Sequence, residues 1–265
     1  MIEKQLQTDY PLTQEQIQQY REDGFIKLDG LLTGEDLREF RDTVAAAVES
    51  ERSTQADPNR KVDPVYAQIF IQRVNLWRRH ADVARFALAP RFANLAARLV
   101  GGPVRIWHDQ ALFKEPGNGN RTPWHQDSPY WPHTTRDRTV SMWFALKDAN
   151  IENGCMSFLP GTQKLGAKEP VNLSNPRGVM DVAPEASGIK AITRELEAGS
   201  ATFHDGLCFH YAGPNRADAT REAFVVIYMP AETRYDGAGH CVTDGQGLIP
   251  GEVLDGELFP ILSKI

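Results

Sequence analysis

Apolar positions recur at helical spacing up to about residue 103 and at strand spacing after it. Leu37, Phe40, Val44 and Val48 return every three or four positions behind Thr33, which predicts an amphipathic helix from Gly34 to about residue 52. Thr13 stands before 14–22 with Gln16 three places on, the spacing of a capping box, so a shorter helix is expected there. A third is predicted over 82–99 around Val83, Phe86, Phe92, Leu95 and Leu99, ended by Gly101-Gly102-Pro103. Residues 53–63 are polar, with Pro58 among them and Pro64 just after, and read as a loop.

From Val104 the pattern changes to short strands and Gly/Pro turns. Strands are predicted over 104–114, 139–146, 156–159, 201–203, 207–210 and 223–229, a succession that suits a sandwich or barrel. The stretch 163–199 is a Gly/Pro/Asn-rich insertion and, with 53–63, is the expected lid over a bound molecule. The fold class expected is α+β and mainly β. One domain spans 1–265: a helical part to about 103, a β core over about 104–232, and a tail over 233–265.

Composition narrows the function classes. A chain of 265 residues, 41% hydrophobic and 24% charged, can bury one sizeable core. A net charge of −6 argues against nucleic acid as a partner. No apolar run reaches about 18 residues and Met1-Ile2-Glu3-Lys4 does not begin a signal peptide, so neither membrane association nor secretion is expected. Cys155, Cys208 and Cys241 have no paired spacing, which fits buried thiols in a reducing, cytoplasmic setting. Ser263-Lys264-Ile265 approaches the Ser-Lys-Leu peroxisomal address without matching it.

The chemistry is concentrated in two segments, Trp124-His125-Gln126-Asp127 and His210-Tyr211-Ala212-Gly213-Pro214-Asn215. A His-x-Asp pair with one distant His is the donor set of non-haem Fe(II) oxygenases: two imidazoles and a carboxylate cap one face of an octahedron and leave the other open. A closed four-ligand zinc site would admit neither cosubstrate nor O2. Alternate side chains of a strand project to one side, so His125 and Asp127 are expected together on a short strand with Gln126 turned away. His204 and His210 compete for the third position, with the turn signal Asp205-Gly206 between them. His108 shares a strand face with Gln110 and Lys114, either lining the pocket or filling the core.

The chain resembles the phytanoyl-CoA dioxygenase family of Fe(II)- and 2-oxoglutarate-dependent oxygenases. The resemblance runs through Leu12-Thr13-Gln14-Glu15-Gln16-Ile17, Asp23-Gly24-Phe25-Ile26, Phe113-Lys114-Glu115-Pro116-Gly117, His125-Gln126-Asp127, Met142-Trp143-Phe144-Ala145-Leu146, Glu152-Asn153-Gly154-Cys155-Met156 and Leu159-Pro160-Gly161-Thr162 to His210 and Arg221. It implies a double-stranded β-helix, a jelly roll of the cupin kind, braced by the N-terminal helices. It makes His125, Asp127 and His210 the iron ligands, His210 rather than His204 because Gly213-Pro214-Asn215 follows at the family position. It makes Arg221, 11 positions on (221 − 210), the partner of the distal carboxylate of 2-oxoglutarate, a role that suits the planar guanidinium. Gln110 and Trp143 fall where family members contact the cosubstrate, and Arg73 falls near another such position. Ala212 stands where the family often has a hydroxyl residue, so one cosubstrate hydrogen bond is missing or supplied from elsewhere.

The implied reaction consumes 2-oxoglutarate and O2 at Fe(II), hydroxylates a small-molecule or acyl substrate, and releases succinate and CO2. Desaturation or cyclisation by the same centre is an alternative outcome. A halogenase would lack the carboxylate of Asp127; a cupin-like metal-dependent hydrolase or isomerase would not require Arg221; a non-catalytic binding protein is expected to have lost ligands. Trp124, Tyr130, Trp131 and His133 form an aromatic group beside the metal segment, expected either to line the substrate pocket or to pack as ordinary core.

Overall fold

The structure is a computed structural model that describes residues 5–51, 69–172 and 175–265. The 53–63 loop, expected to help close the site, lies outside the described residues. In chain order the elements are α1 (Gln14–Asp23), β1 (Phe25–Leu28), α2 (Gly34–Ser50), β2 (Ile71–Val74), α3 (Leu76–Arg79), α4 (Ala81–Ala87), α5 (Pro90–Val100), β3 (Val104–Lys114), β4 (Thr122–His125), β5 (Val140–Ala145), β6 (Met156–Phe158), α6 (Val179–Val182), β7 (Ile192–Arg194), β8 (Ala201–Asp205), β9 (His210–Ala212), β10 (Arg221–Pro230) and β11 (Ile261–Ser263). The capping box at α1 forms as expected: Thr13 Oγ1 accepts from the Gln16 N–H at 3.2 Å, and Gln16 Oε1 accepts from the Thr13 N–H at 2.9 Å. α5 starts on Pro90 and ends at Gly101 with φ +79°, a conformation that glycine adopts without strain.

Seven strands form one antiparallel sheet in the order β1-β8-β5-β10-β3-β11, with β2 also on β3; β4-β9-β6-β7 form the other. Together they make the expected double-stranded β-helix. Strand alternation gives the larger sheet two different faces. Phe144, Phe203, Phe224 and Val226 point to the helices and join Phe40, Val44, Phe86 and Phe92 in one core. There Phe40 stacks on Phe86 at 4.4 Å between ring centres and meets Phe224 edge-on at 5.3 Å. Trp143, Ala145, Ala223 and Val225, one residue out of step, point into the barrel.

Several boundaries differ from expectation. The helical N-terminal part supplies two strands, β1 and β2, and the tail supplies β11. Strands of three or four residues are too short to show a period in sequence. The 207–210 strand is displaced: Cys208 N–H closes a turn onto Asp205 O at 2.9 Å, and β9 begins at His210. Pairing between β10 and β3 shifts between Ile227 and Tyr228, so Trp107 is skipped and both Trp107 and His108 reach the barrel interior.

The 163–199 stretch is not a bare loop. It contains α6 and β7, and Ala183 and Ala186 pack with Leu159 and Phe209 into a small third core that also takes in Trp124, Val179 and Ile189. Cys155 and Cys208 are buried as expected, but Cys241 is exposed. Ser263 is buried in β11, and Lys264 and Ile265 after it are exposed. Among the described residues, no helix is long and apolar enough to cross a membrane.

Candidate metal centre and cosubstrate pocket

His125 ends β4 and His210 begins β9, and the two are register partners across that antiparallel pair. Directly opposed residues bring their side chains together, and the imidazole ring centres are 4.2 Å apart. Asp127 reaches them differently from the sequence expectation. The strand stops at His125, and Asp127 has φ −82° and ψ −50°, a helical conformation that opens a 3-10 turn over Ser128–Tyr130. A bend, not strand alternation, therefore aims its carboxylate. The bend is held from β8–β9, where Gly206 O accepts from the N–H of Asp127 at 2.8 Å and of Ser128 at 2.9 Å. A Cβ on Gly206 would land on Ser128 Oγ and Thr139 Oγ1, which explains glycine at this close approach.

Gln126 does turn away. Its Nε2 donates to Leu207 O at 2.7 Å and Gly166 O at 3.0 Å, and its Oε1 accepts from Lys168 N–H at 2.8 Å, tying the 163–199 stretch to the metal segment. Ligand atoms of His125, Asp127 and His210 all lie within 4.8 Å of one another, a group that can hold a metal ion. The donor set suits one. Each histidine faces a backbone carbonyl through Nδ1, His125 to Pro123 O at 2.8 Å and His210 to Cys208 O at 3.0 Å, which fixes the proton on Nδ1 and frees the Nε2 lone pair. Burial, with His210 beside it, holds His125 below the usual imidazole range. Burial alone would push the Asp127 carboxyl up, but His210, His125 and His204 around it outweigh that and keep it well below the usual range. A neutral His125 imidazole and an ionised Asp127 carboxylate are states that metal binding requires.

A cavity opens beside this group. Gln110, Trp143, Ala212 and Arg221 all line it, as do Thr122, Met156 and His204, which the sequence did not single out as wall residues. Arg221, only 2% exposed, lies with its guanidinium carbon 5.0 Å above the Trp143 ring, where the ring face attracts the cation. Its Nη1 donates to Leu112 O at 3.4 Å, while its buried Nε has no hydrogen-bond partner. Burial lowers Arg221 to about 10. Across the strand pair its register partner is Lys114, fully buried, whose Nζ donates to Gly213 O at 2.7 Å and Asn120 O at 3.2 Å. Burial and the Arg221 charge push Lys114 down to about 7. The Arg221 guanidinium on the cavity wall, with an unused N–H, is a pole that fits the far carboxylate of a dicarboxylic acid.

The aromatic group assigned to the substrate pocket lies elsewhere than on this wall. Trp124 stacks on Tyr211 with ring centres 5.4 Å apart and packs with the third core. Trp131 and His133 are buried with Trp107 and His108 in the barrel interior, Trp107 and Trp131 in the same core as Trp143; Trp107 meets His133 edge-on at 4.5 Å and His108 meets Trp131 edge-on at 6.3 Å. Tyr130 donates its hydroxyl to Val171 O, anchoring the long insertion, and its ring is 6.4 Å from that of His125. Trp131 and His133 follow the 3-10 turn over Ser128–Tyr130, whereas Trp124 lies before it on β4. Arg73 is absent from the cavity wall and ion-pairs with Glu51 at 3.8 Å. Two further wall residues that the sequence did not single out, Leu112 and Val225, had a signal in the alternation: Leu112 is two places from Gln110 on β3, and Val225 on β10 pairs with both Gln110 and Trp143.

Fold and site together define a double-stranded β-helix with an open two-His, one-carboxylate group beside a cationic pole. The chain belongs to the phytanoyl-CoA dioxygenase (PhyH) family, whose model matches residues 20–223. It is 25% identical over 250 residues to the peroxisomal phytanoyl-CoA dioxygenase of Homo sapiens, covering 84% of this chain and 70% of that protein. Among solved structures it is similar to the non-haem α-ketoglutarate-dependent carbocyclase SnoK from nogalamycin biosynthesis, with 29% identity, TM-score 0.81, and 96% and 97% of the two chains covered. It is also similar to the epimerase SnoN in complex with Fe3+, α-ketoglutarate and nogalamycin RO, with 27% identity, TM-score 0.80, and 94% and 98% covered. The protein is a 2-oxoglutarate-dependent dioxygenase that uses iron, 2-oxoglutarate and O2 on a small molecule.

Proposed function

We propose that His125, Asp127 and His210 hold Fe(II), that Arg221 grips the distal carboxylate of 2-oxoglutarate over Trp143 with Gln110 on the same wall, and that the outcome is hydroxylation of a small-molecule substrate. The observation that carries this reading is the cross-strand pairing of His125 with His210, each with Nδ1 tied to a carbonyl and Nε2 turned to Asp127. When bound, Fe(II) with 2-oxoglutarate supplies O2 activation strong enough to break an unactivated C–H bond, with succinate and CO2 as coproducts. The chain's own part is orientation and exclusion of water. Pro123 O and Cys208 O keep the two imidazoles in one tautomer, Gly206 O fixes the Asp127 backbone, and Arg221 sets the direction in which a dicarboxylate lies in the cavity. Ala212 offers no hydroxyl, so Thr122, its register partner on β4 and also on the cavity wall, supplies the polar contact at that place.

Cyclisation or epimerisation by the same centre is the second reading, favoured by the likeness to SnoK and SnoN. The experiment that separates the outcomes is succinate release over a panel of acyl-CoA esters, free acids and natural-product intermediates, with product mass measured under 18O2. Label in the product means hydroxylation; product with one succinate and no label means ring closure, inversion or desaturation. A chlorinated product in the presence of chloride would sink the assignment of Asp127 as a ligand. Retained turnover in His210→Ala, with loss in His204→Ala, would exchange the two histidines.

A further inference from the structure

We propose that Ser141 and His204 are positioning residues that hold the Oδ2 oxygen of Asp127, so that the carboxylate offers a bound metal Oδ1 alone; this rests on the reading of Asp127 as a ligand. The two oxygens of Asp127 face different groups. Oδ1 lies 3.4 Å from His125 Nε2 and 3.5 Å from His210 Nε2. Oδ2 accepts from Ser141 Oγ at 3.0 Å and lies 3.4 Å from His204 Nε2. The first pair comes from the four-stranded sheet and the second from the seven-stranded sheet. Asp127 thus bridges the two halves of the barrel through opposite oxygens.

The second pair converges because of register. Ser141 on β5 and His204 on β8 are directly opposed, and both point inward in the row that also holds Phe25 and Ile227. They are 1% and 2% exposed, and neither ring nitrogen of His204 has a hydrogen-bond partner, although buried polar groups are nearly always paired. Nothing in the described structure competes for its N–H, and Oδ2 is the carboxylate oxygen it faces. The consequence is a matter of counting. A carboxylate can bind a metal through one oxygen or both. With one oxygen from Asp127 and one nitrogen from each histidine, an octahedral ion keeps three positions, two for chelating 2-oxoglutarate and one for O2. With both oxygens bound, the last position is gone. Ser141 and His204 preserve it by occupying Oδ2.

The test uses Ser141→Ala, Ser141→Thr, His204→Phe and the Ser141→Ala/His204→Phe double variant of the full chain. Co(II) affinity is measured by titration, and nitric oxide binding to the anaerobic Fe(II)- and 2-oxoglutarate-loaded protein is measured by electron paramagnetic resonance, since nitric oxide occupies the position meant for O2. The double variant is expected to lose about 10-fold or more in Co(II) affinity, the usual cost of removing a ligand's outer partners. It should still bind 2-oxoglutarate but bind nitric oxide more weakly than the wild type, while Ser141→Thr, which keeps the hydroxyl, retains wild-type behaviour. Wild-type Co(II) and nitric oxide binding in the double variant would overturn the proposal. If the double variant does not fold, the two single variants decide on the same criteria. Undiminished Co(II) affinity in Asp127→Ala would instead remove the reading on which the proposal rests, a result distinguishable from failure of the proposal itself.

Discussion

On the outer face of the seven-stranded sheet, β5, β8 and β10 present Met142, Phe144, Phe203, Phe224 and Val226 to the helices. On the inner face the same three strands present Ser141, Trp143, Thr202, His204 and Arg221 to the barrel. The two sets alternate residue by residue, so identical backbone serves an apolar core on one side and a polar site on the other. The outer face is filled by apolar and ring packing, with the Tyr228 hydroxyl on β10 its buried polar group without a hydrogen-bond partner. The inner face leaves buried groups without protein partners, namely Arg221 Nε, Thr202 Oγ1 and both His204 nitrogens. Stability and chemistry are therefore separable by position parity, and substitutions on opposite faces of one strand should fail in different ways.

The sharpest break is expected at the centre itself. Asp127→Ala or His210→Ala should reduce 2-oxoglutarate turnover to background with a small change in melting temperature, because each removes a donor rather than core volume; succinate release and thermal melting measure the two. On the opposite face, Phe144→Ala should cost about 3–5 kcal/mol of unfolding free energy through the cavity left among Phe40, Phe92 and the sheet. Denaturant titration reads this, and Co(II) affinity of the folded protein should hardly move. A large loss of metal affinity in Phe144→Ala would mean the faces are not independent.

Arg221→Leu should raise the KM for 2-oxoglutarate by about 10-fold or more, since a charged hydrogen bond contributes roughly 1.5–3 kcal/mol. Metal affinity should be preserved; an equal loss of both would make Arg221 structural. The smallest effect is in pH. Lys114 has its folded value lowered from 10.5 to about 7, so between about pH 7 and 10 the unfolded chain holds a proton that the folded chain has shed. Unfolding then takes up a proton, and this group's contribution to stability rises with pH through that window, by at most about 1.4 kcal/mol per pH unit. Urea titrations from pH 7 to 9.5 should show that rise in the wild type and a flatter profile in Lys114→Met. An identical slope in both would locate the proton elsewhere.

Legibility followed the length of each pattern. α2, β3 and β10 carry enough apolar repeats to declare themselves and form close to their expected limits, whereas the single helix expected over 82–99 is broken at Leu88-Ala89 into α4 and α5, where Pro90 starts a new helix. β1, β2 and β11 are three or four residues long and take their character from the strand they pair with, so they could be read only after pairing was known. The same holds at the site. His125, Asp127, His210 and Arg221 were visible as residue types in a spaced order, and the structure gathers them at one cavity. Trp131 and His133 were placed by proximity in sequence, and they follow the 3-10 turn at Ser128–Tyr130 into packing with Trp107 and His108, while Trp124 on β4 stacks on Tyr211.

The sequence by itself determined the kinds of donor available, their order along the chain, the helices that cover one side and the alternation that separates core from site. These follow from side-chain chemistry and local periodicity, which each short segment carries within itself. Tertiary structure alone decided that His210 rather than His204 opposes His125, that the Asp127 carboxylate turns its two oxygens to different sheets, and that Lys114 lies buried against Arg221. Those outcomes depend on strand register and on a backbone bend held by Gly206, and a register shift of one residue reverses every side chain's face. No single segment encodes that register, because it is set by all the pairings of the barrel at once.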